Sequence, residues 1–67
     1  MENSIGNRIF ELRTEMGFSQ QKLANEIGVT QKAIDFWEKG MNEPKASYVM
    51  RLAKVFNVSA DYLLGIE

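Results

Sequence analysis

The stretch QQKLANEIGVTQKAIDFWEK, residues 20–39, decides the reading of the fold. Its apolar residues recur at helical intervals: Leu23, Ala24 and Ile27 first, then Ile34 and Trp37. That spacing puts each set on one face of an α-helix. Between the sets stands Gly28-Val29-Thr30. Glycine reaches the left-handed backbone conformation that ends a helix, and threonine accepts a backbone N–H that starts the next. The stretch therefore predicts two short helices, 20–27 and 31–39, joined by a tight turn. Ala24 is small enough for the second helix to cross close over the first. Leu23, Ile27, Val29, Ile34 and Trp37 supply the shared apolar seam. This is the pattern of a helix-turn-helix; the bland reading is a helical corner in a bundle with no further role.

The same punctuation recurs on both sides. Gly17-Phe18-Ser19 and Asn57-Val58-Ser59 are each a stop followed by a start, while Gly40-Met41 and Gly65-Ile66 are stops alone. Ile5, Ile9, Leu12 and Met16 line a first helix over 5–16. Val49, Leu52, Ala53 and Phe56 line a fourth over 46–56, and Tyr62, Leu63 and Leu64 fall in a short fifth over 60–64. The loop MNEPK, 41–45, is longer than a joint, with Pro44 near the start of helix four. No run alternates with a period of two for long enough to suggest a sheet. The expectation is one all-α domain over 1–67, with five helices and no internal repeat.

Composition removes several chemistries. The 67 residues contain neither cysteine nor histidine. Disulfides, the usual zinc sites and a thiol nucleophile are thereby excluded. A phosphate-cradling glycine loop and a carboxylate pair forced into burial are also missing, so no enzyme, no cofactor and no metal are expected. An apolar share of 45% is ordinary for a globular chain. No apolar run is long enough for a membrane span, and MENSIGNRIF lacks the features of a signal peptide. A cytoplasmic protein without a membrane partner is the expectation.

Net charge is −1, which by itself does not point to nucleic acid. The distribution says more. From Thr30 to Lys54 the basic residues Lys32, Lys39, Lys45, Arg51 and Lys54 face Asp35, Glu38 and Glu43. At about 100° per residue, Ala33, Ile34 and Trp37 share one side of helix three. Gln31, Lys32, Asp35, Phe36 and Lys39 form the outward face. Solvation explains such charges, but it explains an outward phenylalanine poorly.

Three segments carry a resemblance. RIFELRTEMGFSQQKLANEIGVTQ (8–31), WEKG (37–40) and VSADYLLG (58–65) together resemble the phage-repressor-like (Cro/CI, or XRE) helix-turn-helix regulators, over nearly the whole chain. The resemblance implies a five-helix, lambda-repressor-like DNA-binding domain with the helix-turn-helix in helices two and three. It implies a transcriptional regulator of the repressor kind, binding double-stranded DNA as a homodimer on a near-palindromic operator.

In such a fold helix three enters the major groove with its N-terminal residues on base edges. Gln31 would pair with adenine N6 and N7, and Lys32 would donate to guanine O6 and N7. Asp35 and Phe36 would follow along the same face, with Phe36 against a thymine methyl. Ser19 and Gln20 match positions that hold a backbone phosphate, where a helix N-terminus offers N–H groups to an anion. They would position the domain, whereas Gln31 and Lys32 would specify. Thr30 would cap helix three and touch a phosphate; Lys39 and Lys45 would flank the backbone. Arg13 and Glu38 match positions that form a shielded ion pair. Homodimerisation would use helix five and the loop after Gly40, through Met41, Tyr62, Leu64 and Ile66.

Two residues depart from the family pattern. Glu43 puts a carboxylate in the loop that should face phosphates, and Lys45 stands where a serine or threonine commonly caps helix four. Affinity per half-site is therefore expected to be modest. The competing expectation is a helix-turn-helix interaction module, of antitoxin or anti-repressor type, that grips protein with the Phe36 face.

Overall fold

The computed structural model describes residues 4–66. The domain span 1–67 read from the sequence includes residues 1–3 and 67, which lie outside the described residues. Five helices follow one another: α1 (Ile5–Glu15), α2 (Gln20–Ile27), α3 (Gln31–Lys39), α4 (Ala46–Phe56) and α5 (Ala60–Leu64). Among the described residues there is no strand.

Each start has a local cause. The hydroxyl oxygens of Ser4, Ser19, Thr30 and Ser59 accept from the backbone N–H of Asn7, Lys22, Ala33 and Tyr62. Those donors lack helical partners, and capping them stabilises a helix by about 1 kcal/mol. Helix α4 begins at Lys45 without a side-chain cap. Buried Pro44 precedes it and limits the chain's freedom there.

The stops are equally local. Gly28 closes α2 at φ +83°, and its N–H and that of Val29 both return to the Ala24 carbonyl. Asn57 ends α4 at φ +57°, a conformation that asparagine tolerates better than most residues. One boundary differs from the spacing. Helix α1 ends at Glu15, and Met16 is its half-exposed cap, not a core residue. The chain reverses at Gly17, the Phe18 N–H donates to the Arg13 carbonyl, and Phe18 packs on the core instead.

All five helices contribute to one core: Ile9 from α1, Leu23, Ala24 and Ile27 from α2, Ile34 and Trp37 from α3, Val49, Leu52 and Phe56 from α4, and Leu63 from α5. Helix α3 packs against both α1 and α2, and α4 joins α2 to α5. The contact of α1 with α3 is very close. A Cβ on Gly6 would lie 2.2 Å from the Trp37 carbonyl oxygen, so only glycine fits there without a shift. No described helix is long and apolar enough to cross a membrane.

Candidate nucleic-acid interface

Trp37 and Ile34 anchor α3 inward, which fixes what it shows outward. Gln31, Lys32 and Lys39 are exposed, while Asp35 and Phe36 are partly buried. Thr30 stands at the N-terminal end with its hydroxyl committed to the Ala33 N–H.

Behind this face runs a chain of side-chain hydrogen bonds. Arg13 Nη1 donates to the Phe18 carbonyl at 2.8 Å, holding the turn between α1 and α2. Its Nε and Nη2 donate to the two carboxylate oxygens of Glu38, at 2.6 and 3.1 Å. The Arg13 and Glu38 side chains are only 11% and 7% exposed. Such a two-pronged guanidinium–carboxylate contact fixes direction as well as distance. Glu38 Oε1 also accepts from Gln20 Nε2 at 2.9 Å. Gln20 Oε1 accepts in turn from Gln31 Nε2. Five residues from three helices and a turn are thereby connected, and the last, Gln31, stands exposed at the front of α3.

Asp35 sits beside this chain. Its Oδ1 accepts from Gln20 Nε2 at 3.3 Å, and its Oδ2 faces Lys39 Nζ at 3.0 Å. The Lys39 ammonium first, and the Gln20 amide second, hold the Asp35 carboxyl below its ordinary pKa. The carboxylate is therefore ionised at neutral pH, and it offsets the charge of Lys39 on the same face.

The structure joins some expected site residues and separates others. Ser19 Oγ caps α2 while Gln20 turns back toward α3, so these neighbours have different surroundings. Gln20 meets Gln31 directly, a contact that the expected division into positioning and specifying residues lacks. Phe36 is not the fully wet aromatic that the helical wheel suggests. It is partly buried, with Lys32 Nζ 5.8 Å from its ring centre, yet it stands apart from the hydrophobics packed on the core. Lys45 and Glu43 are both exposed on the loop side.

Within the expected dimer set, Met41, Leu64 and Ile66 are exposed, at 64%, 52% and 71%. Tyr62 is a correction: it is partly buried, and the Arg8 guanidinium lies 4.6 Å over its ring. Met50, which periodicity did not single out, is 62% exposed. Two further contacts escape sequence reasoning. The Gly6–Trp37 approach has one legible sign, a glycine inside a helical pattern. Arg51 Nη1 donates to the Ile27 carbonyl at 3.0 Å, and nothing in local spacing signals that bond.

A helix-turn-helix family pattern matches residues 9–63. The chain belongs to the helix-turn-helix family. Within it, the likeness is to regulators of the phage-repressor (Cro/CI, XRE) kind. The HTH-type transcriptional regulator ImmR of Bacillus subtilis is 31% identical over 62 residues, 92% of this chain. The match covers 49% of ImmR, so the chain spans about half the length of that curated relative. The P22 c2 repressor, solved in complex with a synthetic operator, superposes with a TM-score of 0.90 at 33% identity, covering 96% of this chain and 97% of that one. SinR, solved in complex with DNA, superposes with a TM-score of 0.81 at 30% identity, covering 88% of this chain and 95% of that one. The helix-turn-helix of this family is α2 and α3 here, within the five-helix fold expected.

Proposed function

We propose that the chain is the sequence-specific, double-stranded-DNA-binding part of a transcriptional repressor, with α3 in the major groove. The observation that carries this reading is the hydrogen-bonded series Arg13–Glu38–Gln20–Gln31. It places an amide with donor and acceptor capacity at the solvent end of a shielded network. A side chain aimed before binding loses less freedom when it meets its partner. Gln31 is then poised for adenine N6 and N7, and exposed Lys32 for guanine O6 and N7. Two relatives solved with operator or DNA share this fold closely.

The remaining roles follow from position. Ser19 and Thr30 stand at the N-termini of α2 and α3, where N–H groups favour a phosphate. Lys39 and Lys45 supply cations at the edges of the face. Gln20 both lies at the α2 N-terminus and holds Gln31, so its loss should weaken binding and relax base preference together. Asp35 follows Gln31 and Lys32 on the base-reading face, while Glu43 opposes phosphates, which lowers the affinity of one domain and makes a second copy valuable. Exposed Met41, Met50, Leu64 and Ile66 support a homodimer on a near-palindromic operator.

Phe36 supports a second reading. An aromatic outside the core packing, beside a lysine, could equally meet a protein partner. Fluorescence titration with duplex DNA separates the two. A DNA reader loses affinity linearly in log–log plots as salt rises, because phosphate contacts release counterions. A protein-only module gives no such slope. Replacing thymine by uracil at each operator position then tests Phe36. One position should lose affinity with wild type and lose little with Phe36→Ala; no such position contradicts the methyl contact.

A further inference from the structure

Arg51 lies on α4, outside the helix-turn-helix pair, and reaches back to it. Its Nη1 donates to the carbonyl of Ile27, the last residue of α2, at 3.0 Å. A helix leaves its final carbonyls without helical donors and carries partial negative charge there, so a cation is favoured. The N–H groups of Gly28 and Val29 both return to Ala24, one turn earlier, and not to Ile27. A Cβ built on Gly28 would lie 3.4 Å from the same Nη1, so the guanidinium also covers the turn glycine.

The other side of Arg51 leads to α3. Its guanidinium carbon lies 5.5 Å from the Tyr48 ring centre. That ring stands 5.8 Å from the buried ring of Trp37, centre to centre. One α4 side chain therefore touches the end of α2 directly and the body of α3 through Tyr48. A guanidinium suits both contacts, since its plane stacks on an aromatic while its edge donates. A lysine ammonium could donate but not stack in this way.

We infer that Arg51 is a positioning residue that fixes α2 relative to α3, and so the aim of Gln31 and Lys32. The inference rests on α3 being the DNA-reading helix. It differs from a phosphate contact, in which the Arg51 charge would face DNA directly, and the two differ in salt dependence.

The test uses two duplexes of equal length, one carrying the site selected by the wild type and one scrambled, titrated from about 50 to 200 mM salt. Arg51→Met is expected to lower affinity for the selected duplex about tenfold, the order of one base contact weakened by misaiming of Gln31. Affinity for the scrambled duplex should change little, the salt slope should match wild type, and amide exchange at Gly28 and Val29 should rise. An equal loss on both duplexes, with the slope reduced by about 0.9, means that Arg51 holds a phosphate and overturns the proposal. Undiminished affinity for the selected duplex also overturns it. Should Arg51→Met fail to fold, Arg51→Lys carries the same test: the selected-to-scrambled ratio still falls, at unchanged slope. A wild type that binds neither duplex overturns the DNA reading, whereas unchanged exchange at Gly28 and Val29 in the variants overturns the positioning role of Arg51.

Discussion

Glu38 accepts three hydrogen bonds, two from Arg13 and one from Gln20, while its side chain is only 7% exposed. Removing it leaves the Arg13 guanidinium shielded from water with one carbonyl partner. Breaking such a pair costs roughly 3 kcal/mol, against about 0.5 kcal/mol for an exposed pair within a helix. Lys22–Glu26 is a pair of the second kind, with side chains 54% and 41% exposed. Urea unfolding should therefore show a large loss for Glu38→Ala and a small one for Glu26→Ala. Equal, small losses would contradict the account. Asp35 gives a pH-dependent counterpart. Its folded pKa lies below its unfolded value, through Lys39 first and Gln20 second. Its contribution is therefore present above the unfolded pKa and lost as pH falls through the folded one. Lys39→Met should raise the carboxyl titration midpoint read by NMR; an unmoved midpoint contradicts the assigned cause. At this scale the sequence was legible where a residue acts on its own neighbours, as Ser19 and Thr30 do. It was silent on the Gln20–Gln31 bond, because a partner eleven positions away leaves no periodic trace.

Between elements, the contact that sets α3 is backbone against backbone. The Gly6 position in α1 would place a Cβ 2.2 Å from the Trp37 carbonyl and 3.2 Å from that of Glu38. Neither acceptor can swing away as a flexible side chain would. Gly6→Ala gains up to about 1 kcal/mol in helix propensity. Overpacking of this kind costs about 1–3 kcal/mol, so a net loss of stability is expected. Thermal unfolding of Gly6→Ala beside Glu11→Ala, an exposed site on the same helix, measures it. A Gly6→Ala protein as stable as the control would show that α1 and α3 separate at little cost. Helix boundaries were largely legible because stops and starts are local: Gly28-Val29-Thr30 announces itself. Met16 misled because its spacing fits the core stripe while the reversal at Gly17 removes it from the helix. Phe36 misled in the opposite sense, since angular position on a wheel ignores shelter by neighbouring side chains.

For the whole molecule, the proposed function gives one domain a single short reading helix, and its net charge of −1 gives little general attraction to DNA. The proposed homodimer would supply a second reading helix. Met41, Met50, Leu64 and Ile66 are exposed, and Met50 and Leu64 line one apolar groove between α4 and α5 with Pro44, Val49 and Ala60. Sedimentation with a symmetric two-half-site duplex should give two chains per duplex; a persistent one-to-one complex would contradict the dimer. The overall fold was legible because every element break carried its own signal. The exposed apolar set behind the proposed dimer was only partly so, since exposure of Met50 depends on how α4 meets α5. The central claim is that α3 reads base sequence through a side chain held ready by the network behind it. Selection from random duplex oligonucleotides, run in parallel with wild type and Gln31→Ala, tests it most directly. Wild type should enrich one motif, and Gln31→Ala should bind it more weakly by roughly 1–3 kcal/mol while losing preference at one base pair. An identical motif from both proteins, with undiminished affinity, would contradict the claim.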